Sequence, residues 1–226
     1  MVKPKSSTTR LKPSGPGARR GRPDPRADQE TRERILAAAH TVFLRKGTAG
    51  SRTQEIATEA GVNKALVHYY FGTKAALADA IFERALGEIA PKIFGILSDP
   101  GRTIEQKIPA IVREQIAFHS ERPYFAGYMV SELHGEPDRI VRLMARRGPI
   151  PLDVLRRQLR EAAAAGTLRR ISAEQFVANM MGLLIFPFAI RLALCELLSL
   201  DEAGWRGFLD DRRRILPEFI LSGLRP

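Results

Sequence analysis

Lys64, Ala65, His68 and Tyr69 fall on one helix face within residues 51–77, which read SRTQEIATEAGVNKALVHYYFGTKAAL. An ammonium, a small methyl, an imidazole and a phenol on adjoining turns give one surface hydrogen-bond donors, acceptors and a flat ring. A short helix with such a face, crossed by a partner helix, has the geometry that enters a DNA major groove. The plainer alternative is an αα-hairpin inside a helical bundle.

The elements that must position this face are legible nearby. A first helix is expected from Ser51, whose hydroxyl can cap a free backbone N–H, with Gln54 three residues on to reach back. Ile56, Ala57 and Ala60 form its apolar stripe. Gly61 ends it, because the turn needs positive φ. Val62 plugs the corner, and Asn63 caps a second helix over Lys64–Tyr70. Leu66, Val67 and Tyr70 are expected to face inward.

The flanks extend the pattern. Residues 31–47, TRERILAAAHTVFLRKG, form an amphipathic helix with Ile35, Leu36, Ala39 and Phe43 on one side and Gly47 at its end. Phe71-Gly72-Thr73-Lys74 and Leu77 follow the pair. The combination I-L-x-A-A-x-x-x-F-x-x-x-G, I-A-x-x-A-G-V and Y-F-x-T-K-x-x-L resembles the TetR/AcrR family of transcriptional regulators, over roughly residues 28–85. The resemblance implies a homodimer that binds a palindromic operator, usually as a repressor. It also implies a C-terminal helical domain that takes a small-molecule effector and then releases DNA. By position, the family's DNA contacts map onto Ser51, Arg52, Asn63, Lys64, Ala65, His68, Tyr69 and Lys74. Of these, Lys64, Ala65, His68 and Tyr69 would read bases, and Ser51, Arg52, Asn63 and Lys74 would grip phosphates. The chain departs from the family at Ala65-Leu66-Val67-His68, where Gly-Thr-Leu-Tyr is common, so no operator sequence carries over. Ala76 also stands where an acidic residue often completes a capping box with Thr73.

The formal net charge of the 226-residue chain is +11, from 36 basic and 25 acidic residues. Residues 1–27 hold eight Lys/Arg and one Asp, so most of the excess sits in the tail. That segment has almost no apolar side chains and is expected to remain a disordered basic arm. Within it, Arg20-Gly21-Arg22-Pro23 resembles an AT-hook core: glycine admits the backbone to a narrow groove, and the arginines enter the negative potential of A·T-rich DNA. The alternative is an arm that only neutralises phosphates.

An all-α chain is expected, since no segment alternates with period two. The domains read as the arm 1–27, a helix-turn-helix domain 28–75 and a helical effector-binding and dimerisation domain 76–226. In the last, helices are expected at 73–97, 103–120, 124–134, 137–147, 151–165, 172–198 and 199–221, the final two capped by Ser172 and Ser199 and the penultimate kinked at Pro187. The resemblance makes these two the four-helix dimer interface, with Phe176, Met180, Leu183, Leu184, Trp205, Phe208, Leu209, Leu216 and Phe219 as candidate contacts; the same residues suit an intramolecular core. Candidate walls of an effector pocket are Phe94, Phe118, Phe125, Tyr128, Met129, Leu133, Leu155, Met180 and Phe186, with Gln115, His119 and Asn179 as polar anchors. A largely apolar effector follows from so few charges.

Enzymatic chemistry finds no support. There is no nucleotide fingerprint, no phosphate-cradling G-x-x-x-x-G-K, no zinc spacing and no nucleophile beside a base, so neither a metal nor another cofactor is expected. His119 and His134 lie near Glu121, Glu132 and Glu136, but helix-boundary surface positions account for them. Cys195 is the only cysteine, which excludes an intrachain disulfide and suits a reducing cytoplasm. The most apolar run, MMGLLIFPFAI at 180–190, is too short to span a bilayer, so no membrane partner is expected. Two functions remain: an effector-responsive repressor, or a ligand-independent nucleoid protein using the same head.

Overall fold

The structure is a computed structural model and describes residues 25–123 and 125–226. The Arg20, Gly21 and Arg22 expectation lies outside the described residues. Every regular element described is a helix: α1 Pro25–Gly50, α2 Thr53–Glu59, α3 Lys64–Phe71, α4 Lys74–Ser98, α5 Ile104–Glu121, α6 Phe125–Gly135, α7 Pro137–Ala145, α8 Asp153–Ala164, α9 Ala173–Ala189, α10 Arg191–Leu197 and α11 Glu202–Leu224. Residues 25–27, expected to be part of the basic arm, are helical and open α1. The run continues to Gly50 across a break at Gly47, whose backbone is not helical.

Two apolar clusters form. The first gathers Ile35, Ala39 and Phe43 of α1, Ile56 and Ala57 of α2, Val67 of α3 and Leu77, Ile81 and Phe82 of α4. It runs on into α6 and α7 through Phe125, Tyr128, Ile140 and Leu143. Phe43 and Phe82 are among its fully buried side chains, each stabilising the fold by about 2–3 kcal/mol. The second cluster joins the far half of α4 to α5, α8, α9 and α11. Helix α4 is therefore one rod with an end in each cluster.

The caps explain where helices start. Thr73 accepts from the Ala76 N–H at 3.0 Å, Ser172 from the Gln175 N–H at 3.1 Å and Asp201 from the Gly204 N–H at 2.7 Å. The last corrects the expected cap at Ser199. Ser199 adopts φ 53° and sits where α10 closes, with the Leu200 N–H reaching back to the Cys195 carbonyl at 2.8 Å. A residue committed to that left-handed turn cannot also open the next helix.

The expected long helix over 172–198 is two helices, α9 and α10, bent by 74° at Ile190. Pro187 has no N–H to give the Leu183 carbonyl one turn back, and Arg212 of α11 donates to that carbonyl instead. No single helix among the described residues is long and apolar enough to cross a membrane.

Candidate nucleic-acid interface

The turn between α2 and α3 follows from local hydrogen bonding. Gly61 takes φ 64°, and the Val62 N–H returns to the Ala57 carbonyl at 3.0 Å. Asn63 Oδ1 accepts from the Leu66 N–H at 2.8 Å, a cap worth about 1 kcal/mol. The opening of α2 differs from expectation. Ser51 is buried and its hydroxyl donates backwards to the Thr48 carbonyl at 2.8 Å. Arg52 is the cap position, and Glu55, not Gln54, reaches back to its N–H at 3.1 Å.

On α3, Val67 is buried and Leu66 and Tyr70 are half-buried, while Lys64, Ala65, His68 and Tyr69 are exposed. Tyr69 is 72% exposed and lies edge-on to Tyr70, ring centroids 5.1 Å apart. The inner side is pinned to α1. Tyr70 donates to Asp28 at 2.6 Å, which holds its phenol above the ordinary tyrosine value, and Arg32 lies over the Phe71 ring at 5.2 Å. The His68 Nδ1 is 2.7 Å from the Gly72 carbonyl, which can only accept. Neutral His68 therefore carries its proton on Nδ1 and leaves Nε2 as an acceptor.

Acidic groups nearby are neutralised. Glu55 pairs with Lys46 at 2.6 Å and Glu59 with Arg45 at 2.7 Å, so α1 cations offset the carboxylates of α2. The hydrogen bond from Lys46 holds the Glu55 carboxyl below its ordinary range. Arg52 and Asn63 are exposed at the ends of the two short helices. Lys74 is turned inward: its ammonium donates to the carbonyls of Ser51 at 2.8 Å and Ala49 at 3.3 Å. In this structure the Ser51 hydroxyl and two donors of the Lys74 ammonium are bonded inside the head, unlike the exposed Arg52 and Asn63.

The structure does not assemble the expected effector walls around one cavity. Gln115 and Met180 line a half-open space of about 50 Å³ with Ile93, Leu97, Ile111 and Phe176. Phe118, His119, Phe125 and Tyr128 pack on one another instead. His119 is 2% exposed, stacks on Phe188 at 4.9 Å and meets Phe118 edge-on at 5.1 Å. Leu155 is fully buried in the second cluster, Phe94, Met129 and Leu133 are half-buried outside that space, and Phe186 faces outward. Asn179 is exposed and borders, with Met180 and Phe219, an open groove of about 720 Å³ between α9 and α11.

The candidate dimer contacts divide in the same way. Phe176, Met180, Leu184, Trp205, Leu209 and Leu216 are buried within the chain itself, whereas Phe219 is exposed beside Met181, Phe186 and Ile215. His134 Nδ1 lies 2.9 Å from the Val130 carbonyl and does not converge with the caged His119.

Sequence reasoning missed two buried cations. Lys107 is fully buried, donating to the Leu97 carbonyl at 2.8 Å and to Gln158 at 2.7 Å. Its position on the apolar stripe of Ile104, Ile108 and Ile111 was the available signal. Arg139 on α7 donates to Asp79 of α4 at 2.5 Å and to Glu132 of α6 at 3.0 Å.

Comparison with known proteins agrees with this architecture. Residues 35–81 match the family described as bacterial regulatory proteins, tetR family. The chain is 27% identical over 210 residues to the HTH-type transcriptional repressor NicS of Pseudomonas putida, covering 86% of this chain and 92% of that one. It is 29% identical over 121 residues to the HTH-type transcriptional regulator BetI of Rhizobium meliloti, covering 51% and 59%. Among solved structures, the hemolysin II transcriptional regulator HlyIIR aligns with a TM-score of 0.60 at 22% identity, covering 88% of this chain and 99% of that one. PfmR of Thermus thermophilus aligns at 0.56 with 22% identity, covering 69% and 84%. The matched segment spans α1 from Ile35 through α2 and α3 into α4, the helices that build and support the exposed face, so residues 35–81 carry the DNA-binding domain described for bacterial regulatory proteins of the tetR family.

Proposed function

We propose that the chain is a homodimeric repressor that reads duplex DNA through Lys64, Ala65, His68 and Tyr69 and occupies a two-fold operator. One observation carries the reading: α3 is fixed on its inner side by Tyr70–Asp28 and Arg32–Phe71, and its outer side offers these side chains to a groove. Arg52 and Asn63 stand at the helix ends where phosphates would pass. Lys64 supplies a donor, and Nε2 of neutral His68 supplies an acceptor suited to an exocyclic amine of cytosine or adenine. The repressor NicS, with which the chain shares most of its length, supports repression as the outcome.

The dimer follows from unspent apolar surface. Met181, Phe186, Ile215 and Phe219 are exposed on α9 and α11. A second copy covers them and sets two heads about one helical turn of DNA apart. An apolar effector would enter beside Gln115, where about 50 Å³ is already open. That space holds one or two waters, against roughly 300 Å³ or more for a typical ligand site, so binding requires α4, α5 and α9 to part. Effector action then equals its difference in affinity between the open and closed bodies.

The tight body also favours a second reading, a DNA-binding protein of the same head that needs no effector. Thermal-shift measurements across apolar and charged metabolites separate the two. Stabilisation by apolar compounds that also release a bound duplex supports the sensor; no compound doing both supports the effector-independent protein. Selecting duplexes from a random pool with the full chain tests DNA reading itself, and enrichment of a two-fold motif is the expected result.

A further inference from the structure

A cleft of about 550 Å³ opens among α1, α4 and the corner between α5 and α6. It is separate from the space beside Gln115, which shares none of its residues. Its volume lies within the roughly 300–1,000 Å³ of small-molecule sites. Leu36 of α1, Ile81 and Ala85 of α4 and Phe125 of α6 give it an apolar side, each a buried member of the first cluster. Ala37 of α1 also lines the cleft and is exposed.

Charged groups line the cleft in an alternating row. Glu33 of α1 pairs with Arg84 of α4, Arg84 with Glu88 at 3.8 Å, Glu88 with Arg122, and Arg122 with Glu121 at 3.0 Å. Each guanidinium is thus shared by two carboxylates, and Arg122 also lies over the Phe118 ring at 4.8 Å. The row ends in a carboxylate on both sides. Glu33 takes a second donor, Gln29, at 2.9 Å. Among the described residues Glu121 pairs with Arg122 alone, and its side chain is 72% exposed.

The charges do not cancel. His40 of α1 lines the cleft too, but burial and then the charge of Arg122 hold its imidazole below the ordinary value, so it is neutral at pH 7. Three carboxylates against two guanidiniums leave the lining one negative charge, on a chain whose net charge is +11. An entering anion must displace a carboxylate that is already paired. An entering cation extends the alternation at Glu121.

We propose that this cleft binds a small organic monocation, an amine on an apolar body, with its ammonium against Glu121 and its body against Leu36, Ile81 and Phe125. Such a ligand touches α1, which carries the head, and the α5–α6 corner of the body at once. The proposal is independent of the DNA-reading assignment, because binding is read on the free protein.

The test is titration calorimetry of the full chain with 3-phenylpropylamine and with 3-phenylpropionate, which has a similar body and the opposite charge. The amine should bind saturably at one site per chain, and the carboxylate at least about tenfold more weakly, although the chain as a whole is basic. Glu121→Gln removes the end carboxylate and should weaken the amine about threefold to fivefold. Ala37→Trp puts bulk into the cleft from an exposed position and should abolish amine binding. Both substitutions lie outside the core, so both variants should unfold close to the parent temperature. No saturable amine binding, equal affinity for the carboxylate, or undiminished amine binding by Ala37→Trp would overturn the site. Each of those results leaves the reading of DNA by α3 intact, since no duplex is present.

Discussion

The Lys74 ammonium donates to the Ser51 carbonyl at 2.8 Å, so the first residue of α4 holds the chain just ahead of α2. In this structure the cation is a staple between the supporting rod and the reading pair. Its second bond, to the Ala49 carbonyl at 3.3 Å, holds the same stretch of backbone two residues earlier.

Lys74→Ala should therefore weaken binding to every duplex alike. The loss should be about 1–2 kcal/mol, from two orphaned carbonyls and a looser turn. The salt slope distinguishes the staple from a phosphate contact. A staple leaves the slope of log K against log salt unchanged, whereas a lost phosphate contact reduces it by about 0.9. Titrations at several salt concentrations decide between them.

Lys107 makes a prediction about stability alone. It joins the end of α4 to Gln158 of α8, and Gln158 in turn donates to the Arg102 carbonyl at 2.8 Å. Burial holds its ammonium below the ordinary lysine value. Lys107→Ala leaves both acceptors unpaired beside a cavity and should cost about 3 kcal/mol in denaturant unfolding. A change under about 0.5 kcal/mol would show that the network contributes nothing net.

The third prediction concerns pH. His119 is held down from 6.5 to about 4, first by burial and then by the charge of Arg122. The groups around it are Phe118, Phe125, Phe188 and Arg122, and none accepts a proton near neutrality. Between pH 6.5 and 4 the unfolded chain binds a proton that the folded chain refuses. The stability gained from a neutral His119 is therefore complete above pH 6.5 and is lost as pH falls toward 4, by about 3 kcal/mol. His119→Phe removes the titration. Unfolding free energies of parent and variant, compared from pH 7 to 4.5, should diverge at acid pH with the parent falling faster. Parallel curves would contradict this.

Much of the head was legible because short-range chemistry decides it. Ile35, Ala39, Phe43, Ile56 and Ala57 fall at helical spacing and are buried, and Asn63 and Thr73 cap as their side chains allow. The errors at Ser51 and Ser199 share a cause. Each serine stands between two helices and can serve either, and each serves the one behind it: Ser51 donates back to Thr48, and Ser199 takes the left-handed turn that ends α10. Sequence spacing does not decide that choice, which depends on where the preceding helix stops.

The body was less legible because its outcome depends on long-range partners. Pro187 announced a kink, but the partner of the freed Leu183 carbonyl lies 29 residues away at Arg212. The aromatic residues expected to surround an effector, Phe118, Phe125 and Tyr128, fill the space with each other and with His119. An apolar stripe is the same whether it walls a cavity or closes one. Only the packing separates these, and the packing leaves about 50 Å³ beside Gln115.

The outward face of α3 is tested most directly by Tyr69→Ala. Tyr69 is exposed, and α3 is held to α1 through Tyr70 and Phe71, so the substitution spares the fold. The measurement is the ratio of affinities for a duplex selected by the parent and for its scrambled sequence, at one fixed salt concentration. The expected result is a loss of about 1–3 kcal/mol for the selected duplex and little for the scrambled one, so that the ratio collapses. An unchanged ratio would contradict the assignment of this face to DNA.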